Sequence, residues 1–252
     1  MTLSHPNLVM FACLVVLGAS LSTFAQTPAP NTTEWENESL KLRLFYPSDL
    51  VKQDPGQTEH DGNFTLFGIS GSSDSRLAEA THCLRPQLLL ELPQSGPAQT
   101  TTSQTTPDGS THVTITPAVT ATILLAELDI DCLNAKHESN STSLLADMAE
   151  MVAKVPGMKS IAQPTWYNVG WQKIHMAAAQ GQPQSDPSNP QPNGPLQLFT
   201  MGLSTNWNNH LLVWYFSSNS IDTLNRITKT TVRFGRDQAA PLYPVVIGSS
   251  PR

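Results

Sequence analysis

Two cysteines constrain this chain more than any other pair of positions, because of what precedes them. Residues 1–25 contain no Lys, Arg, Asp or Glu, and Leu8 to Leu21 is apolar except at Gly18 and Ser20. That run is shorter than the roughly 20 residues a membrane helix needs, but it has the length of a secretory signal core. Thr23-Phe24-Ala25 sets small residues at the −3 and −1 sites of a signal peptidase, so cleavage is expected after Ala25, before Gln26. His5 stands where a leader of this kind usually carries Lys or Arg. Met10 and Phe11 precede Cys13 and the apolar run continues past it, which argues against a lipidated cysteine. The chain is therefore expected to be exported, to a periplasm or the extracellular space. Cys83 and Cys132 are the cysteines that survive cleavage. In an oxidising compartment such a pair reads as one disulfide. Closing a loop of about 50 residues stabilises a fold by about 4 kcal/mol on the chain-entropy account.

Charge narrows the partners. The chain carries a net −6 with its Lys and Arg scattered. Nucleic acids and anionic membranes want clustered cations, so neither is expected as a partner. No segment after residue 25 is apolar over 18 residues, so no integral membrane segment is expected in the mature form. The partner class left open is an unidentified protein or small ligand. Sequons at Asn31, Asn37, Asn63 and Asn140 matter only in a host that glycosylates.

Periodicity then lays out the chain. Residues 26–37 read as a flexible leader. Leu40, Leu42, Leu44 and Tyr46 alternate with Lys41, Arg43 and Phe45, the pattern of a strand with one buried face, ended by Pro47. Asn63 to Ile69 predicts a strand entered through the Asp61-Gly62 turn, and Ser73 to Cys83 has weak helical character. Gln87 to Leu92 is an apolar strand stopped by Pro93. Residues 94–112 are rich in Thr, Gln, Ser, Pro and Gly and predict a disordered loop, since little apolar surface offsets their ordering entropy. Thr120 to Asp131 reads as a long buried strand running into Cys132. Leu144, Leu145, Met148, Met151, Val152 and Val155 form a helical stripe over about 142–154, with Ser141 or Ser143 as cap and Pro156-Gly157 as stop. Two hairpins follow. Ile161 to Asn168 and Trp171 to Ala179 flank Val169-Gly170. Leu196 to Ser204 and Leu211 to Phe216 flank Asn206 to Asn209, where Asn tolerates left-handed turns. Between the hairpins, residues 181–195 hold five prolines and predict a second disordered loop. Ser220 caps a helix from Ile221 to about Thr230, Thr231 to Phe234 is a short strand, and residues 236–252 read as a loose tail. Hairpins with two amphipathic helices make the expected class α+β: one domain over 38–235, an antiparallel sheet with helices packed on it.

This order of elements resembles the PsbP-like family, which includes DcrB-like envelope proteins. The resemblance rests on Phe45-Tyr46-Pro47 closing an early strand and on a helix ending at Pro156-Gly157 before a hairpin centred on Gly170. It continues in a long hairpin and in Ser220-Ile221-Asp222 opening a last helix that leads to Val232-Arg233-Phe234. It covers about residues 38–235. It implies an antiparallel sheet sandwiched by helices and a non-enzymatic accessory or binding role outside the cytoplasm, with no cofactor. The two low-complexity loops and the cysteine pair depart from the family pattern.

Chemistry-bearing residues are spread thin. Gly68-Ile69-Ser70-Gly71-Ser72 misplaces the second glycine of a nucleophile elbow. His60, His82, His112, His137, His175 and His210 occur singly, without metal-ligand spacing, and no glycine-rich phosphate loop is present. Asp129 and Asp131 fall on one face of the expected strand, a pairing more often solvated than catalytic. The alternative function is a secreted hydrolase that assembles its site from distant residues such as Ser70, His175 and Asp131. The aromatic residues are the stronger signal. Trp166, Tyr167 and Trp171 border one turn, and Trp207, Trp214 and Tyr215 lie on the other hairpin. Trp166, Trp171, Trp207, Trp214 and Tyr215 form the expected binding surface, unless helices cover both sheet faces and bury them.

Overall fold

A computed structural model describes residues 31–54, 81–93, 99–105, 111–135, 141–182 and 197–247. Residues 1–30, which hold the expected signal segment and the first residues of the flexible leader, the expected strand at 63–69 and nearly all of the second low-complexity loop lie outside the described residues. Among those described, antiparallel strands far outweigh helices, so the molecule is mostly β with a few helices against its sheets. This corrects the expectation of a balanced α+β sandwich.

Three sheets account for the strands. The large sheet has seven, in the order β3 (Val51–Gln53), β4 (Leu84–Glu91), β7 (Ala121–Leu128), β11 (His210–Ser218), β10 (Leu198–Trp207), β9 (Gln172–Gly181), β8 (Met158–Val169). The small sheet has four: β1 (Thr32–Asn37), β2 (Leu42–Pro47), β12 (Thr231–Phe234) and β13 (Ala240–Pro241). A two-stranded ribbon pairs β5 (Gln99–Thr105) with β6 (Thr111–Pro117). The helices are α1 (Ile130–Ala135), α2 (Ser141–Lys154) and α3 (Ile221–Ile227).

Strand alternation decides the layers. Leu212, Trp214 and Phe216 of β11 face the small sheet, joining Leu42, Leu44, Val232 and Phe234 and the α3 residues Leu224 and Ile227 in one core. Leu211, Val213 and Tyr215 face the other way, into a second core under the α2 stripe of Leu144, Leu145, Met148, Met151 and Val152. The large sheet is thus buried on both faces, by a sheet on one side and a helix on the other. Gly202 admits the helix: a Cβ there would collide with the Ala149 carbonyl.

Cys83, just before β4, is bonded to Cys132 in α1, with Cα atoms 5.6 Å apart. β4 and β7 are neighbours, Leu84 opposite Leu128, so the bridge ties the end of one strand to the helix that leaves the other. The buried strand ends at Leu128 rather than Asp131. Asp129 Oδ1 accepts from the N–H groups of Asp131 (3.0 Å) and Cys132 (3.3 Å), which turns the chain into α1. Asp129 and Asp131 therefore do not share a strand face.

Three further expectations are corrected. The leader's last residues form β1, held by full pairing to β2 and by Arg43 bridging Glu34 (3.2 Å) and Glu36 (2.7 Å). The first low-complexity segment contains β5 and the first residues of β6; their Thr-rich runs suit strand geometry although they carry little apolar surface. The tail is packed: β13 pairs with β12, and Leu242, Tyr243 and Ile247 are buried. Asn225 holds it, accepting from Ile247 N–H (2.8 Å) and donating to Ile247 O (3.1 Å).

Candidate binding surface

Two tight turns lie side by side at the end of the large sheet where β4 begins and β7 finishes. In the β8–β9 turn Gly170 takes φ +60°, the first central position of a type II′ turn, and Trp171 follows. In the β10–β11 turn Asn208 and Asn209 take φ +49° and +68°, a type I′ pair. Gln172 Nε2 joins the hairpins, donating to Asn206 O (2.8 Å) and Thr205 Oγ1 (2.5 Å).

The five residues expected to form an aromatic surface divide sharply here. Trp171 is 94% exposed on the tip of its turn. Trp207 is half-buried and structural: its Nε1 donates to Leu40 O (2.8 Å), its ring packs on Phe234 (centroids 5.2 Å apart), and a Cβ added at Gly235, which takes φ +57°, would come within 3.3–3.4 Å of the ring. Trp214 and Tyr215 are fully buried on opposite faces, so neither can belong to a surface; the covering helix and second sheet put them inside. Trp166 is half-buried on the α2 side, over His175 (4.6 Å between rings), with Lys173 Nζ 5.0 Å above it.

Several polar groups at this end pair with one another. His210 Nδ1 meets Glu127 Oε1 at 2.6 Å, Gln87 donates to Glu127 Oε2 (3.4 Å), and Asn37 donates to Gln87 Oε1 (3.2 Å). Arg85 pairs with Asp129. The backbone N–H of Cys132, then the Arg85 guanidinium, hold the Asp129 carboxyl below its ordinary range.

His175 is buried, its Nε2 donating to Glu150 Oε1 on α2 (3.0 Å). Its Nδ1 meets no partner among the described residues. Ser204 sits directly opposite on β10, but its hydroxyl donates to Leu145 O (2.6 Å). A serine nucleophile must give its proton to a base. Here the hydroxyl is sealed under the helix and bonded to a carbonyl instead. Of the residues named for a hydrolase, Ser70 lies outside the described residues, Asp131 is exposed in α1, and the carboxylate bonded to His175 is that of Glu150. His60 and His137 also lie outside them, and no group of three potential metal ligands occurs among the described residues. Glu150 and Glu127 carry no signal in the sequence as partners, because each stands on the polar flank of an otherwise apolar element; only the strand alternation that turns His175 toward α2 could have pointed to the first. Burial pushes the Tyr215 hydroxyl well above its usual range, and that of Tyr167, with Tyr243 beside it, likewise.

No protein-family model matches the chain, and a search of curated proteins finds no match.

Proposed function

We propose that this is an exported, non-catalytic accessory or binding protein of the cell envelope, which meets its partner through the end of the large sheet that carries Trp171. One observation carries the reading: a large aromatic side chain is held 94% in solvent on a turn set by Gly170 and tied to the next hairpin by Gln172. An exposed Trp, with only two side-chain torsions to fix, offers contact area at little entropic cost, and Trp is enriched among the residues that dominate interface energetics. At the same end the pairs His210–Glu127, Asn37–Gln87 and Arg85–Asp129 tie neighbouring elements together. Export is supported by the uncharged apolar leader and by the Cys83–Cys132 bridge. The PsbP-like reading is supported by the run of helix, two hairpins, capped helix and short strand from α2 to β12. The second, four-stranded sheet is a feature the resemblance did not imply.

The test is site-specific photo-crosslinking in the native host from position 171, with position 246 as an exposed control. A discrete adduct from 171 alone, competed by wild-type protein but not by Trp171→Ala, is expected. Equal competition by both would overturn the reading, and labelling of the pure protein by a serine-reactive fluorophosphonate would favour the hydrolase. Intact mass of the exported form, starting at Gln26, checks the cleavage.

A further inference from the structure

The Trp171 ring stands out as much for its neighbours as for its exposure. The other large hydrophobic residues exposed among those described are Val51, Val119, Val245 and Val246. Val51 and Val119 belong to the opposite end of the large sheet, where β4 finishes and β7 begins. Val245 and Val246 precede the Ile247 that Asn225 of α3 holds. The core of a protein–protein interface is a contiguous apolar patch inside a polar rim. Trp171 is instead a single ring set among polar side chains.

Register places those side chains. In the β9–β10 ladder His175 stands opposite Ser204; continued toward the turns, that register sets Asn206 by Lys173 and Asn208 by Trp171. The bond from Gln172 Nε2 to Asn206 O (2.8 Å) keeps the two hairpins together over this stretch. Asn206, Asn208 and Asn209 are exposed, and their side-chain amides make no hydrogen bond among the described residues. Asp237 lies beside the same turn: a Cβ added at Gly170 would be 3.8 Å from its Oδ2. Arg236, next to it in the chain, carries the opposite charge. The left-handed backbone accounts for Asn at 208 and 209, but glycine takes that conformation too, so the two amides are more than the turn itself requires.

From this arrangement we infer that the Trp171 end is a site for an uncharged pyranose glycan; the inference rests on the reading of this end as the binding end, and it names the ligand class. A pyranose with equatorial substituents has an apolar face of axial C–H groups and a rim of hydroxyls, and β-1,4 linkage repeats that face along a chain. The C–H face stacks on the indole, whose own face is electron-rich. The hydroxyls donate and accept at once. They meet amides that do the same at Asn206, Asn208 and Asn209, and a carboxylate that accepts at Asp237. The net −6 of the chain disfavours an acidic glycan.

Titration of the exported chain with cellohexaose and with chitohexaose, followed by tryptophan fluorescence, is the test. Trp171 is the tryptophan most open to solvent. At least one of the two sugars is expected to move the emission to shorter wavelength and to shield it from acrylamide quenching, both saturably, and Trp171→Ala is expected to abolish both responses. Asn208→Gly combined with Asn209→Gly keeps the left-handed turn and removes the two amides. Its melting temperature should stay close to that of wild type while sugar binding weakens about fivefold or more. No response to either sugar, a response that Trp171→Ala retains, or a glycine variant that binds as wild type does would each overturn the inference. If neither sugar acts while photo-crosslinking from position 171 still yields its discrete adduct, the ligand class falls and the binding end stands; if both fail, the binding end falls with it.

Discussion

The two faces of the large sheet are buried by different means. Toward the small sheet the contact is made by bulk: Trp214 and Phe216 from below and Phe234 from above, with Phe234 in edge contact with Trp214 (6.4 Å between centroids) and packed on Trp207. Sheets stacked about 10 Å apart leave room for whole rings between them. Ring packing so outweighs hydrogen bonding there that Trp214 Nε1 meets no acceptor among the described residues. Toward α2 the contact is made by smallness. Ala126, Ala177, Ala179 and Gly202 let the helix backbone down onto the strands, and two sheet hydroxyls reach it directly, Ser204 to Leu145 O and Tyr215 to Met148 O (2.9 Å). One face depends on volume, the other on closeness, and they should fail in opposite ways when side chains are made smaller or larger.

The largest effect should come from removing volume between the sheets. Phe234→Ala deletes a ring that three elements share, and is expected to cost about 3–5 kcal/mol in urea unfolding, by lost transfer and a residual cavity. A cost below about 1 kcal/mol would mean that the sheets close over the gap and that bulk is not what holds them. Next comes the covalent tie at the rim of the helix face. Replacing Cys83 and Cys132 together by Ala opens a loop of 49 residues and should cost about 2–5 kcal/mol in urea unfolding. Gly202→Ala reverses the logic of the first variant. One added methyl meets the Ala149 carbonyl, and α2 must lift, at about 1–3 kcal/mol. If this change were neutral, the helix would not be seated as closely as the contrast requires.

The same contrast explains what is legible in the sequence. The α2 stripe is legible because a helix on one sheet face imposes a 3.6-residue period locally. The turn at Asn208-Asn209 is legible because left-handed backbone leaves a chemical mark. The cysteine pairing is legible in the count, since two cysteines remain after the expected signal segment is set aside. The small sheet is not legible as a unit: β2 pairs with β12 almost two hundred residues away, and β1 has Trp35 as its one apolar residue, so its stability comes from a ladder rather than from periodicity. The candidate surface is half legible for a similar reason. Trp171 and Trp207 both stand beside tight turns, and nothing in the sequence around them tells them apart. What separates them is the Leu40 carbonyl, 167 residues from Trp207, which turns one ring into a clamp while the other stays in water.

Two smaller effects bear on the polar side of the helix face. Tyr215→Phe removes the hydroxyl bonded to Met148 O and keeps the ring, so a loss of about 1 kcal/mol is expected, well below that of Phe234→Ala. A loss as large as that of Phe234→Ala would show that polar bonds, not close approach, hold the helix. The smallest effect should appear in acid. Asp129 caps α1 beside the disulfide, and its carboxyl is held below the ordinary value by the Cys132 N–H and by Arg85. A carboxyl whose folded value is depressed contributes its stability above the unfolded value and loses it as pH falls through the folded one. The melting temperature of wild type should therefore exceed that of Asp129→Asn at neutral pH, and the two curves should converge as the medium is taken below the usual carboxylate range. A constant offset down to the acid limit would assign the difference to packing at the rim rather than to the charge on the cap.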